Sequence, residues 1–134
     1  MAKGLIWFRS DLRIDDNPAL LEAANSFDEL IGLYIFSPKQ WNMHHESNVK
    51  QDFLIRTLVT LEKQLKKLHI PLIVLQTDTF KALPQDLQRF IETHQINACY
   101  WNNEFGVNEN KRDDAVEILL SASNIQISRH HDQV

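Results

Sequence analysis

The stretch GLIWFRSDLRIDDNPALLEAA (residues 4–24) opens this chain with a pattern that decides its fold class. Its first five residues form a short apolar run that ends at charged residues, which is typical of a buried strand. After the charged loop, Asp16 or Asn17 can cap a helix that has Pro18 in its first position, and alanines and leucines follow. The stretch therefore predicts a strand, a loop and a helix, which is the repeating unit of an α/β fold.

The rest of the chain repeats this alternation. Apolar runs predict further strands at residues 30–36, 71–76, 97–102 and from 125 onward, and helical patterns lie between them. Strict alternation with unbroken apolar strands predicts a parallel sheet, and right-handed crossovers then place helices on both of its faces. We therefore predict an α/β fold of the doubly wound, Rossmann-like type, with a five-stranded parallel sheet in one domain over residues 1–134.

The longest predicted helix spans about residues 47–68 and has one apolar stripe. Leucines recur along it at alternating spacings of four and three residues, at Leu54, Leu58, Leu61, Leu65 and Leu68. This periodicity matches one face of an α-helix, so we expect the stripe to be buried.

Composition and charge narrow the class of protein. A chain of 134 residues with 43% hydrophobic residues can form one folded domain with a real core. The net charge of −4 argues against a domain that binds DNA by itself. The lone Cys99 excludes an internal disulfide and fits a reducing compartment. No apolar run reaches the roughly 20 residues that a membrane helix needs, so we expect a cytoplasmic protein that does not bind membranes.

Binding sites in such sheets lie beyond the carboxyl ends of the strands, which here means residues 9–17, 36–46, 76–84 and 102–109. None of the chain's three glycines forms the G-x-G-x-x-G pattern that lets a backbone approach a pyrophosphate. A standard nicotinamide or flavin phosphate loop is therefore not expected in this chain.

The reactive side chains indicate neither a metal site nor a nucleophile. The pairs His44–His45 and His130–His131 lack a Cys or a carboxylate at a familiar ligand spacing, so we interpret them as solvated loop residues. The sequence has no G-x-S-x-G motif, and Cys99 lies inside a predicted strand, where a buried structural thiol is expected.

Two loops remain as candidate binding segments. The loop PKQWNMHH places Trp41 and His44 near the end of the second strand, and Trp41 and Trp101 offer flat apolar surface for a ring system. The loop WNNEFGVNENKRD leads into the last helix, where Asn108 fits the cap position and Glu109 the first turn. Alternatively, Glu109 presents two acceptor oxygens to a ligand edge with two adjacent donors, such as the edge of a pterin. A capped helix holds a carboxylate rigidly, so the two interpretations are compatible.

The loop after the first strand is unusually rich in charge. Exposed ion pairs, each contributing about 0–1 kcal/mol, would be one explanation. Leu12 and Ile14 alternate with the charges, however, and this pattern is expected where a loop docks against more protein. We therefore interpret the loop as part of an interface with a region beyond this chain. Its charged residues are Arg9, Asp11, Arg13, Asp15 and Asp16.

The chain finishes with ISRHHDQV, at or just after a predicted strand and without a helix to cover it. A doubly wound sheet normally has its last strand covered. We therefore expect this domain to be part of a longer protein.

The quoted motifs resemble those of the DNA photolyase/cryptochrome family. WFRSDLRIDDNPAL (residues 7–20) is similar to that family's opening signature, an aromatic strand end followed by R-x-D-L-R-x-x-D-N-x-A-L. YIFSPKQW with His44, and VNENKRD (residues 107–113), are similar to segments of the microbial cyclobutane-pyrimidine-dimer photolyases that carry a folate antenna. The matches occur in order along the whole chain, which therefore resembles the N-terminal α/β domain of that family.

The resemblance implies a deoxyribodipyrimidine photolyase, which binds UV-damaged DNA and splits pyrimidine dimers by light-driven electron transfer from reduced FAD. It implies that FAD and the lesion lie in a C-terminal helical domain in cis, so that this domain alone is inactive. It also implies an antenna, usually 5,10-methenyltetrahydrofolate, in the cleft between the two domains, with His44, Asn108 and Glu109 as its cofactor-binding residues here. No residue of this chain is implied to be catalytic. The charged loop is implied to be structural or to contact the helical domain, and we expect the whole protein to be a monomer.

Two other interpretations stay open. A cryptochrome, which is a blue-light receptor without repair activity, shares the fold, and the residues that distinguish it are expected outside this chain. A stand-alone nucleotide-binding or interaction module of the doubly wound group is the other, and the missing phosphate-loop glycines weigh against it. The choice of antenna, a folate or a deazaflavin, also stays open.

Overall fold

Strands and helices alternate along the chain in the computed structural model. The structure describes residues 2–9, 11–36, 48–77, 82–103 and 107–131, of which 48–50, 107–110 and 131 are described by their backbone alone. The elements are β1 (Lys3–Phe8), α1 (Pro18–Ser26), β2 (Glu29–Phe36), α2 (Asn48–Lys67), β3 (Leu72–Gln76), α3 (Leu83–Thr93), β4 (Ala98–Asn103), α4 (Val107–Ala122) and β5 (Gln126–His131). Each predicted element is present, so the predicted order is confirmed.

All strand pairs of the described sheet are parallel, and the strand order is β3-β2-β1-β4-β5. The chain winds outward from β1 to β3, returns to the other side of β1, and winds outward again to β5. This is the doubly wound α/β fold that the sequence predicts. Ligands bind such sheets where the winding changes direction, which here lies beyond the carboxyl ends of β1 and β4.

Apolar side chains pack into two layers, one on each face of the sheet. One layer joins the sheet to α1 and α2 and includes Ile6 and Phe8. The other joins it to α3 and α4 and includes Leu5 and Trp7. Successive side chains in a strand point to opposite faces, so a central strand between two helix layers needs apolar residues throughout. This explains the unbroken run GLIWF, and it confirms that helices cover both faces.

Local signals define the start of α1 as predicted. Asn17 is the cap residue, and its side-chain oxygen accepts the backbone N–H of Leu20 at 3.2 Å. Pro18 occupies the first helical position, where its missing N–H costs nothing. Asp16, with a left-handed φ of 48°, turns the chain into the cap.

Three helices end in the same motif. The residues that follow the ends of α2, α3 and α4 include one with a left-handed φ, namely His69 (62°), Gln95 (56°) and Asn124 (64°). In each case the next residue is an isoleucine whose N–H donates to the carbonyl five residues earlier, at 2.9–3.1 Å. This hydrogen-bond pattern is the Schellman motif, and it satisfies helix carbonyls that would otherwise lack a donor.

The same motif corrects one prediction about the leucine stripe of α2. Leu61 and Leu65 are buried and the two leucines before them are half-buried, but Leu68 is 51% exposed, so its predicted burial is wrong. The helix ends one residue before Leu68, and the left-handed turn at His69 changes the direction of the chain. Ile70 therefore enters the core in place of Leu68.

Candidate functional site

The buried polar side chains that the structure describes gather around the carboxyl edge of the sheet. They are Arg9, Asp11, Asn17, Thr77, Asn102 and Asp113. A buried polar group destabilises a fold unless it is hydrogen-bonded. The contacts among these residues therefore define how the elements around the edge are held together.

Asn102, at the end of β4, connects three segments of the chain. Its Nδ2 donates to Oδ2 of Asp11 at 2.6 Å and to Oδ1 of Asn17 at 2.7 Å. Its Oδ1 accepts the backbone N–H of Ala19 at 3.0 Å. One amide group thus ties the loop after β1 and the start of α1 to the end of β4.

Arg9 connects the end of β1 to α4. Its Nη1 donates to Oδ1 of Asp113 at 2.6 Å, and its Nη2 donates to the backbone oxygen of Asn102. Arg112 reaches the same Asp113 oxygen through Nε at 3.3 Å. Both guanidinium groups lie near the ring of Trp7, at 4.7 Å and 5.3 Å from its centroid, which adds a cation–π attraction to the ion pairs.

Burial raises the pKa of Asp11 above its usual range. The backbone N–H of Arg9 and the side chain of Asn102 donate to this carboxylate and lower the pKa in part, as does the charge of Arg9. Desolvation is nevertheless the larger effect. Asp11 is thus held by an interior network and not by solvent.

The charged loop has contacts within this same domain. Leu12 and Ile14 pack against the apolar layer under α1 and α2 of this same domain. Both side chains are half-buried, so packing within the chain accounts for part of their alternation with charged residues. The contact of this loop with a region beyond the chain stays a prediction. Arg9 and Asp11 are structural as expected, whereas Asp15 and Asp16 are exposed.

The predicted cofactor-binding residues are placed in part. His44 and Trp41 lie outside the described residues. Glu109 lies in the first turn of α4, as predicted. Asn108 is the second residue of α4, which begins at Val107, so the prediction that Asn108 precedes the helix as its cap is wrong by about two positions. The side chains of both residues are outside the described part.

Trp101 does not offer a surface to a ligand, so that expectation is wrong. Its side chain is fully buried, and its ring packs edge-on against Trp7 with 5.4 Å between the centroids. Position 101 lies inside β4, where the side chain points into the layer under α3 and α4. The sequence does not distinguish burial from exposure at this position, because an aromatic residue at a strand end suits either.

The other reactive side chains have structural surroundings. Cys99 is fully buried and burial raises the pKa of its thiol, so the expectation of a structural thiol is confirmed. His130 and His131 lie in β5, so their assignment to a loop is wrong. His130 is half-buried and contacts the Ser128 hydroxyl at 2.7 Å.

Two classes of feature are not found in the part of the chain that the structure describes. No described helix has the length and apolar character needed to cross a membrane. No group of three or more His, Cys, Asp or Glu side chains within the described ranges could hold a metal ion.

An open groove of about 530 Å³ lies beside this network, between the loop after β1 and α2. Its lining includes Arg9, Arg13, Arg112, Tyr34, Phe53 and Thr57. Guanidinium groups next to aromatic rings suit a planar, negatively charged ligand. Phe53 is not predicted from the sequence, because it lies inside a helix with nothing in its neighbours to mark it. Tyr34 had a signal, since it is the first residue of YIFSPKQW. Arg112 had a signal, since it lies within VNENKRD.

Comparison with known proteins agrees with this fold. The sequence model of the DNA photolyase family matches residues 4–134. The deoxyribodipyrimidine photo-lyase of Buchnera aphidicola (subsp. Acyrthosiphon pisum) is 38% identical over 135 residues, a match that covers 100% of this chain. The chain spans only 28% of that relative's length.

Two solved structures share the fold. An archaeal photolyase from Sulfolobus tokodaii, solved with two FAD molecules, superposes with a TM-score of 0.80 at 24% identity, over 96% of this chain and 29% of that one. A cryptochrome of Synechocystis sp. PCC6803 superposes with a TM-score of 0.79 at 20% identity, over 98% of this chain and 27% of that one. Taken with the family match over residues 4–134, these findings show that the chain belongs to the DNA photolyase family.

Proposed function

We propose that this chain is the N-terminal, antenna-binding domain of a deoxyribodipyrimidine photolyase, which repairs cyclobutane pyrimidine dimers in UV-damaged DNA by light-driven electron transfer from reduced FAD. The observation that carries the proposal is the family match over residues 4–134 in a chain that spans 28% of a photo-lyase relative. The remaining length of such a relative leaves room for a helical domain that binds FAD and the lesion. The net charge of −4 supports this division of labour, because a domain with that charge is a poor DNA-binding surface on its own.

The antenna in this proposal is 5,10-methenyltetrahydrofolate, with His44, Asn108 and Glu109 as its contacts in this domain. The position of the α4 first turn supports this assignment, since it lies at the carboxyl edge of the sheet beyond the switch point. The nearby groove supports it too, because its rings and guanidinium groups suit an aromatic ligand with carboxylates. A bound folate would supply absorption in the near ultraviolet and transfer of excitation to the flavin. The protein's part is to hold the pterin edge with the Glu109 carboxylate and to orient it.

We further propose that the whole protein is a cytoplasmic monomer and that its catalytic residues lie in the helical domain. The lone thiol of this chain, buried and without a partner cysteine, is compatible with a reducing compartment.

The test uses the full-length gene product. We expect a near-ultraviolet absorption band in addition to that of the flavin. We also expect light-dependent repair of a thymine-dimer oligonucleotide. Glu109→Gln replaces one acceptor oxygen with a donor and should weaken folate binding by about 1–3 kcal/mol. Glu117→Gln is the matched control, since Glu117 lies on the same helix and pairs with Arg129 at the surface. Unchanged folate per FAD in the Glu109 variant would remove Glu109 from the site.

A cryptochrome is the second candidate, and the nearly equal TM-score of the cryptochrome structure favours keeping it. It predicts a bound flavin but no repair of the dimer under light.

A stand-alone module is the third interpretation. It predicts an endogenous product of 134 residues, whereas the photolyase proposal predicts a product several times longer by mass spectrometry.

A further inference from the structure

The ion pair between Arg9 and Asp113 is buried on both sides. The exposed fraction is 6% for the Arg9 side chain and 0% for Asp113, and the two partners are 104 residues apart in sequence. The same guanidinium also donates to the backbone oxygen of Asn102. The side chain that directly follows β1 therefore contacts both the carboxyl end of β4 and the second turn of α4.

This contact restrains the orientation of α4 as well as its distance from the sheet. A guanidinium presents its N–H groups in a fixed planar fork, so two simultaneous bonds define a direction. Separating the pair would leave an uncompensated charge in the interior, and this strongly disfavours separation. Arg112 adds a contact to the same carboxylate oxygen at 3.3 Å, and Trp7 lies beside both guanidinium groups.

The restraint acts close to the proposed antenna site. Glu109 precedes Asp113 by four residues, which is about one helical turn, or roughly 6 Å along the axis of α4. The placement of the first turn relative to the sheet is therefore set to a large extent at Asp113. A carboxylate that recognises two adjacent donors has to be held within about 0.5 Å of its working position.

We propose that Arg9 and Asp113 are positioning residues for the antenna site, which fix the first turn of α4 so that Asn108 and Glu109 meet the pterin edge. This inference rests on the proposed function, since it concerns the same site. It also assigns a task to the charged loop after β1: its buried arginine orients a binding residue that lies 100 residues further along the chain.

Asp113→Asn is the variant that tests this, because it preserves the shape and one acceptor oxygen, removes the charge and replaces the other oxygen with a donor. Asp114→Asn is its matched control. Asp114 is the next residue of the same helix, its side chain is 65% exposed, and it pairs with Arg129 at 2.8 Å. Arg9→Lys is the second test, because lysine retains the positive charge beside Asp113 but lacks the fork.

The experiment compares the full-length wild type with these variants and with Glu109→Gln. All proteins are measured at a temperature well below their unfolding midpoints. Titration with 5,10-methenyltetrahydrofolate gives the Kd, the bound antenna gives an absorption maximum, and FAD content with far-ultraviolet circular dichroism reports the folded fraction. We expect Asp113→Asn to raise the folate Kd roughly tenfold and to shift the absorption maximum of the bound antenna. Arg9→Lys should raise the folate Kd about threefold, and the folate Kd of Asp114→Asn should stay within about twofold of the wild-type value.

The outcomes separate a positioning role from a structural one. If folded Asp113→Asn and Arg9→Lys proteins keep the wild-type Kd and absorption maximum while only their unfolding midpoints fall, the pair is structural and the inference is overturned. In that case a loss of folate in Glu109→Gln would leave the proposed function standing. If Glu109→Gln binds folate like the wild type, the proposed site itself is wrong, and the positioning role is lost with it. If Asp113→Asn does not fold, the Kd and spectrum of Arg9→Lys decide between the two roles.

Discussion

Asn102 and Asp11, which are 91 residues apart in sequence, share a buried hydrogen bond of 2.6 Å at the carboxyl edge of the sheet. The same Asn102 amide also serves Asn17 and the backbone of Ala19. The start of α1 therefore depends on a side chain from β4 as well as on its own cap residue. This dependence makes Asn102 a sensitive point of the domain.

Replacing Asn102 should destabilise the domain strongly. Asn102→Ala leaves Oδ2 of Asp11 and the N–H of Ala19 without this partner in the interior, and each such loss costs about 1–3 kcal/mol. We expect a fall of about 2–5 kcal/mol in the free energy of unfolding, measured by urea denaturation. Asn97→Ala is the control, because the exposed side chain of Asn97 accepts a single bond from the backbone of Lys3. Equal losses in the two variants would contradict this role of Asn102.

The raised pKa of Asp11 predicts a pH dependence of stability. Burial favours the protonated carboxyl in the folded state, so the folded chain binds more protons than the unfolded chain between about pH 4 and the raised pKa. The free energy of unfolding therefore falls as the pH rises through this window, as far as Asp11 contributes to it.

Asp11→Asn removes this titration and should make the stability curve less steep over that window. Urea midpoints between about pH 4 and pH 7 measure the slope for the wild type and the variant. Asp15→Asn removes a charge from the exposed part of the same loop and controls for net charge. Parallel curves for the wild type and Asp11→Asn would show that Asp11 contributes nothing to the slope.

The buried thiol of Cys99 should report global unfolding. Burial raises its pKa, so at pH 8 the folded chain has a protonated thiol that is also shielded from reagent. We expect no measurable reaction of the native 134-residue chain with a disulfide reagent, and one thiol per chain on addition of urea. Rapid labelling of one thiol in the native chain would mean that β4 opens readily.

Gln95 offers a stabilising substitution. It adopts a φ of 56° at the end of α3, where a side chain with a Cβ is strained and glycine is not, and its side chain is exposed. We expect Gln95→Gly to raise the free energy of unfolding by about 0.5–1 kcal/mol. Gln95→Ala retains the Cβ and should give no gain, so the difference between the two variants isolates backbone strain. A loss of stability in the glycine variant would rule this explanation out.

The helical turn that carries Glu109 could be predicted from the sequence, but the contacts around it could not. The position of Glu109 in a first helical turn follows from local helix signals, and the structure confirms it. Trp101 is buried and Leu68 is exposed, so the predictions of an exposed Trp101 and a buried Leu68 are both wrong. Burial depends on which distant residues the folded chain brings together, and the local sequence does not contain that information. The groove could not be predicted either, because Tyr34 and Phe53 share a surface that two separate elements form only in the folded chain.

The sequence by itself determined the order of strands and helices, the doubly wound sheet and the cap at Asn17, because these depend on periodicity and on contacts within a few residues. Only the tertiary structure decided what the charges after β1 do. Arg9 meets Asp113 across 104 residues and Asp11 meets Asn102 across 91, and neither partner can be read from its neighbours. The physical reason is that a buried charge needs a partner in space, and the sheet order selects that partner by placing β1 beside β4.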